Sequence, residues 1–361
     1  MLCAPDDFKG TLHAAEAAAA LAQGVRDAGH EAVEFPVADG GEGTARLLKQ
    51  AKGGVLQSAH VTDPLGRPLE TSWVLLPDGT AVVESAAASG LWYLAAGDRR
   101  PMNASSFGTG QLLAEALNQG ATKLVLCIGG TATVDGGCGL LQALGVTLHA
   151  DDGPLRQHCC PTDLQTLTAV DPPASFPPIT GLVDTMVPLL GKAGAARMFA
   201  PQKGASAAQV EQLESTMQRI AEVLDPQSQH RDTPGAGSGG GMGFAVCTMG
   251  GTLLRGGDAV LEMLGINDAL QNIDLVLTGE GCMNAQTATG KAPAAVAAAA
   301  ASAGIECIGI GGRLEAGADD LLADGTFVAL DSLADRCGLE RAMHEPASCL
   351  RESAKAMLQQ H

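Results

Sequence analysis

Residues 1–43 read MLCAPDDFKGTLHAAEAAAALAQGVRDAGHEAVEFPVADGGEG, and this stretch decides the fold. MLCAP is a short apolar start that predicts a strand, DDFKG is a polar loop, and Thr11 offers a cap for the helix that follows. Ala18, Leu21, Val25 and Ala28 then fall on one helical face. After Gly29 a second strand, EAVEFPVA, runs into DGGEG. Strand, helix and strand over this length predict a parallel unit whose loops lie at the carboxyl ends of the strands.

The texture changes near residue 55. VLQSAHVTDPLGRPLETSWVLLPDGTAVVESAAASG has short β-branched runs broken by DPLG and PDG, the pattern of an antiparallel meander. A helix at 110–118, a strand at 123–128, GGTATVDGG and a further helix follow, and ITGLVDTMVPLLG predicts a strand leading into a turn. Ser206 and Gln209 form a capping box for a helix with the apolar stripe Val210, Leu213, Met217, Ile220 and Leu224. PQSQHRDTPGAGSGGGMG reads either as a flexible linker or as a glycine loop packed against a ligand or another backbone. From about residue 270 the parallel pattern returns: IDLVL meets TGEG, a helix starts near Pro293 and stops at Gly304, and IECIGI meets GG. An α/β domain at 1–57 plus 261–361 is therefore expected to be interrupted by a second α/β domain at 58–260.

Composition narrows the function classes. The 361 residues are 46% hydrophobic but only 3% aromatic, so close helix-on-sheet layers built from small residues fit better than a β-sandwich. Twenty-two basic against 40 acidic residues leave a net charge of −18, which argues against nucleic acid or an anionic membrane as the partner. The ten cysteines show no CxxC pair and no zinc spacing with His, and several lie inside apolar runs, as buried reduced thiols of a cytoplasmic protein would. No secretory leader opens the sequence and no run of about 18 apolar residues reads as a membrane span.

The polar motifs DDFKG, DGGEG and TGEG…TGK all follow strands of the split domain, and in an open parallel sheet such loops line one crevice. GGTATVDGG and FAPQKGA of the inserted domain are expected to face it, as in an enzyme that closes on two small substrates. Glycines expose backbone N–H groups to an anion, and Lys291, between Gly290 and a helix start, can add its charge to a helix N-terminus. Neither a Walker A sequence nor GxGxxG after the first strand is present, so a nucleotide site here is of another kind. Asp39, Glu42, Asp135, Asp184 and Glu280 are candidates for holding Mg²⁺ or for accepting a proton. No Ser–His–Asp arrangement is legible.

In order along the chain, APDDFKG, VADGGEGT, TDPLG, AAASGL, FGTGQL, IGGTATVDGG, FAPQKGA, GGGMG and TGEG…QT…GKAP resemble the type I bacterial glycerate kinases over nearly the whole length. The resemblance implies a Rossmann- or flavodoxin-like parallel-sheet domain interrupted by a second, restriction-enzyme-like α/β domain. It also implies phosphorylation of D-glycerate by ATP with Mg²⁺, usually to 2-phosphoglycerate. A kinase for a related small hydroxy acid and a binding protein without turnover are the other readings. Phosphoryl transfer rests on positioning and charge neutralisation. By motif, Asp184, Asp135 and Lys9 would be catalytic, with Asp184 or Asp135 the base. Asp6, Asp39, Gly40, Gly41, Glu42, Gln202, Lys203 and Arg255 would bind substrate, with Lys9, Lys203 or Arg255 meeting its carboxylate. Gly279, Glu280, Gly281, Gln286, Thr287 and Lys291 would bind nucleotide and phosphate, and Asp39 and Glu280 the metal.

The chain departs from the family's pattern at four places. GEGCMNAQ stands where GEGR(I/L)D.Q is usual, so Cys282 replaces a guanidinium and Asn284 a carboxylate. Val134 stands where Asn is common, and Val187 where Asn or Ser is usual. Loss of one structural ion pair is the mild consequence; loss of a metal ligand and a phosphate clamp is the severe one.

Overall fold

The computed structural model describes residues 1–171, 175, 178–289 and 291–359. It is mixed α/β and divides into two compact units, Met1–Asp39 with Gly256–His361, and Gly40–Arg255. In chain order, β1 (Leu2–Cys3) and β2 (Val33–Glu34) precede the second unit. That unit holds β3 (Val55–Thr62), β4 (Pro68–Leu75), β5 (Thr80–Glu84), β6 (Lys123–Ile128), β7 (Leu148–Ala150), β8 (Gly153–Pro154), β9 (Ala169–Val170), β10 (Ile179–Val183) and β11 (Thr252–Arg255). The chain then completes the first unit with β12 (Leu275–Met283), β13 (Glu306–Leu314) and β14 (Ala329–Ser332).

In the first unit the strands lie in the order β14-β13-β12-β1-β2, every pair parallel. Counted along that unit alone, the order is second, first, third, fourth, fifth, the doubly wound order of flavodoxin-like sheets, and its switch point falls between β1 and β12. Alternation along the strands fills both faces. Leu2, Val276 and Cys307 enter one core with Leu261 and Val296. Cys3, Leu277 and Ile308 enter the other with Leu21 and Leu350. Small residues allow close packing here: a Cβ on Gly24 of the helix Ala14–Asp27 would run into the Arg351 carbonyl of the helix Pro346–Leu358. Thr11 is not the cap of that first helix. His13 is the capping residue, its amide donating to the Glu16 carboxylate, while Thr11 donates to the Phe8 carbonyl.

In the second unit the order is β11-β10-β6-β5-β4-β3. The meander is present as the antiparallel pairs β3–β4 and β4–β5, but β5 joins β6 in parallel and so continues into the parallel strands β10 and β11. A small antiparallel sheet, β8-β7-β9, lies apart from it in the strand order. The division between units falls after Asp39 rather than near residue 57 because the helix Thr44–Lys52 buries Leu47 and Leu48 and packs on β4 and β5. The helix Ala207–Leu224 is capped by Ser206, whose hydroxyl accepts from the Gln209 amide, and it buries Val210, Leu213, Met217 and Ile220.

The glycine-rich stretch is packed. Gly239, Gly240 and Gly241 all have positive φ, and Gly240 and Gly241 are buried. A Cβ on Gly240 would overlap the Thr133 carbonyl. Gly240→Ala therefore meets both a strained backbone and a clash, and is expected to cost about 2–4 kcal/mol of unfolding free energy. Urea unfolding of the variant against the parent checks this.

Candidate active site

In the first unit the site grows from the switch point. The Ala4 amide donates to Leu277 O at 2.7 Å, the Asp6 amide to Gly279 O at 2.9 Å, and Thr278 Oγ1 to Ala4 O at 2.6 Å. These bonds extend the pairing beyond the two residues of β1, so DDFKG runs beside TGEG, which is not the loop expected after IDLVL but the middle of β12, paired with β13 through Thr278, Gly279 and Glu280. Gly281 packs closely on that loop, since a Cβ there would lie 3.2 Å from the Lys9 amide nitrogen. Asp7 Oδ1 accepts from the Ala14 amide at 2.5 Å and anchors the loop to the helix start.

Glu280 is the centre of this arrangement. Its Oε1 accepts from the buried Thr287 hydroxyl at 2.7 Å and its Oε2 from Lys291 Nζ at 2.9 Å. The carboxylate thus ties Thr287 and Lys291 to β12. Gly279 is buried on β12 against β13, where a Cβ would overlap the Ile310 carbonyl. Lys9 Nζ stands 3.8 Å from Asp39 Oδ2, with the lysine largely exposed and the aspartate buried. Burial and then the charge of Asp39 hold the Asp6 carboxyl well above its ordinary range; the Asp7 amide and Lys9 oppose this, and Glu280 adds to it. Asp6, Lys9, Glu280, Gly281, Lys291 and Arg313 share one cavity of about 490 Å³.

Asn284 organises the altered loop through two hydrogen bonds. Asn284 Oδ1 accepts from the Gln286 amide at 2.9 Å, and the Asn284 amide donates to Thr287 Oγ1 at 3.0 Å. The turn therefore uses an amide oxygen where a carboxylate oxygen would serve. Cys282 lies in register with Arg313 of β13, so a guanidinium lines the cavity from the neighbouring strand. Gln286 is exposed, and Gly290 lies outside the described residues.

The second unit gathers a different set. Asp184 directly follows β10 and is half-buried; Arg255 ends the edge strand β11 opposite Val183 and is exposed. Lys203 is 4% exposed and donates to Thr133 O at 2.7 Å and Thr131 Oγ1 at 3.2 Å. Burial lowers its pKa from 10.5 to about 7, outweighing the nearby charges of Asp135 and Asp184. Gly41 approaches Gly129, whose Cβ position also lies 4.0 Å from Asp184 Oδ2. Gly40 is buried, whereas Glu42 and Gln202 are exposed, and Gln202 O accepts from Arg99.

Asp135 takes a structural position. Its Oδ2 accepts from the Ser106 amide and hydroxyl, both at 2.8 Å, and from the Gly139 amide; its Oδ1 accepts from the Gly137 amide. Fully buried, it joins the starts of the helices Phe107–Asn118 and Cys138–Ala143. Val134 beside it fills the core of the second unit, and the Val187 carbonyl accepts from the Gly237 amide.

Two residues at strand ends escaped the sequence reading. Glu84 ends β5 and accepts from the Ala45 amide at 2.8 Å, holding the start of the helix that follows DGGEG. Burial, helped by the charge of Glu42, pushes its carboxyl up to about 6, against the Ala45 and Gly43 amides. Arg313 is the next-to-last residue of β13 and pairs with Cys282 of β12. Both lie at carboxyl ends of strands with a parallel partner, which is the signal that would have found them.

A family profile described as the glycerate kinase family matches residues 1–361. A glycerate kinase of Bacillus subtilis (strain 168) is 36% identical over 98% of this chain and 96% of its own. A glycerate 2-kinase of Escherichia coli (strain K12) is 40% identical over 87% and 85%. A crystal structure from Salmonella typhimurium LT2, provisionally designated glycerate kinase 2, aligns with a TM-score of 0.83 at 34% identity, covering 99% of this chain and 97% of that one.

The Lys203 environment has a pH signature. The unfolded chain keeps this proton up to its ordinary pKa of 10.5, while the folded protein releases it near 7, so between those values the unfolded state binds more protons. Stability contributed at this site therefore rises with pH across that window. In Lys203→Met the rise is expected to disappear, as urea midpoints measured through the window will show.

Proposed function

The chain belongs to the glycerate kinase family, and on that premise we propose that it transfers the γ-phosphoryl group of ATP to a hydroxyl of D-glycerate, giving 2-phosphoglycerate in the cytoplasm. The observation that carries this reading is Glu280, held by Thr287 and Lys291 at the switch point of a parallel sheet. It keeps a lysine and a loop of backbone amides together where doubly wound sheets bind ligands.

The reading assigns the nucleotide to the first unit. Lys291 and Lys9 neutralise phosphate oxygens there as point charges, with Arg313 offering paired N–H groups from the adjacent strand. Asp39 and Glu280 would hold Mg²⁺. Asp39 and Glu280 are near enough that both charges add to the effect of burial, the larger cause, in raising the Asp6 carboxyl. Among the described residues no group of three or more His, Cys, Asp or Glu is placed to hold a metal ion by itself. Mg²⁺ is commonly held by one or two carboxylates with phosphate oxygens and water. Bound there, it would neutralise charge on the phosphates.

The acid is assigned to the second unit. Asp184 accepts the proton of the glycerate hydroxyl, whose oxygen forms the bond to the γ-phosphorus as the bond to the β–γ bridging oxygen breaks and ADP leaves. Lys203, with Arg255 beside the β10 end, meets the carboxylate; Lys203 is charged near neutrality only in part, so an anion beside it favours its protonated form. Asp135, occupied by four hydrogen bonds from its own surroundings, supports the fold of this unit rather than the chemistry.

ADP release with D-glycerate, ATP and Mg²⁺ tests the reading, with ³¹P NMR to identify the product. ATP binding without turnover would select a non-catalytic relative, and turnover with another hydroxy acid alone would select a retuned kinase. Asp184→Asn is expected to lose about 10²–10⁴ in kcat with little change in stability. Asp135→Asn turns an amide N–H₂ toward donors and should cost about 1–3 kcal/mol of stability. Thermal unfolding beside steady-state kinetics separates the two.

A further inference from the structure

The cavity lined by Glu280 and Lys291 also has an apolar lining, which the assignments above leave without a purpose. It consists of Phe8, Leu333, Leu339, Ala342, Met343 and Pro346. Phe8, Leu333 and Ala342 are buried and belong to one core cluster of the first unit. Leu339 and Met343, four residues apart on one face of the helix Leu339–His344, are each 53% exposed. Two large apolar side chains left half open in the lining of a cavity are available to cover an apolar ligand group. The same lining includes Lys9, Lys291 and Arg313.

We infer that this wall is the subsite for the nucleobase of the bound nucleoside triphosphate, its phosphates reaching Lys9, Lys291 and Arg313. The inference rests on the kinase reading and adds to it the place and contacts of the base. A nucleotide is the occupant because one cavity lining carries both chemistries it needs: apolar side chains for a flat, largely apolar group and three basic side chains for several negative charges. Its volume of about 490 Å³ falls within the range of small-molecule and cofactor sites. Aliphatic and thioether groups hold a ring face through contact area, and the flexible Met343 side chain can settle on it. The helices Leu333–Cys337 and Leu339–His344 follow β14, so the base lies along the carboxyl ends of the sheet, on the β13–β14 side of the switch point.

The test compares ATP with inorganic tripolyphosphate, which has the anionic end alone. In the full-length Leu339→Ser/Met343→Ser variant, calorimetry is expected to show ATP binding weakened about tenfold and tripolyphosphate binding unchanged. In the parent protein, hydrogen exchange in 339–344 should slow with ATP and not with tripolyphosphate. Unchanged ATP affinity, or equal loss for both ligands, overturns the subsite. A change of sedimentation from dimer to monomer with ATP affinity intact also overturns it, and marks the wall as a contact between copies. A parent protein that neither binds ATP nor releases ADP with D-glycerate would instead sink the kinase reading itself.

Discussion

Parallel pairing between Leu2–Cys3 and Val276–Leu277 is the constraint on which the first unit depends. Two residues of strand join β2 to β12 in its sheet, and the hydroxyl of Thr278 reaches the carbonyl of Ala4 across 274 positions of sequence. Closing so long a loop is entropically costly, though the cost grows only slowly with length. The return is geometric. Once β1 and β12 are in register, the loop after β1 runs beside β12, and Asp6, Lys9, Gly281 and Glu280 become neighbours without any local sequence signal requiring it.

Small residues set how close the backbone can approach. Gly24 lets two helices of the first unit meet at backbone distance, and Gly240 lets the glycine loop rest on the Thr133 carbonyl. That same carbonyl accepts from Lys203. A packing contact in the core of the second unit therefore also fixes one of the partners of a buried ammonium group.

The two lysines that matter most are treated differently by their surroundings. Lys291 is paired with the Glu280 carboxylate at 2.9 Å, which fixes its ammonium group in place. Lys203 is buried with a carbonyl and a hydroxyl as partners, and desolvation outweighs the acids nearby. One lysine is held by its charge; the other is made responsive by losing water. An overall charge of −18 says nothing about either, because a few buried contacts decide the local potential.

The sequence by itself determined what local periodicity and chain order can carry. It showed the parallel start and return of the α/β fold, the meander between them, the Ser206 cap, and the loops bearing Asp6, Lys9, Asp39 and Lys291, but it ended the strand before Glu280, where pairing with β13 continues β12 to Met283. Nine motifs in order also carried the resemblance to glycerate kinases. Only the tertiary structure decided the direction and burial of each polar group, since those depend on neighbours remote in sequence. It turned Asp135 inward onto four donors, gave His13 rather than Thr11 the start of the first helix, and packed the glycine stretch that read equally well as a linker. It set Arg313 beside Cys282 and placed Leu339 and Met343 in the cavity lining, because register and cavity shape arise only when separate strands and helices are brought into contact.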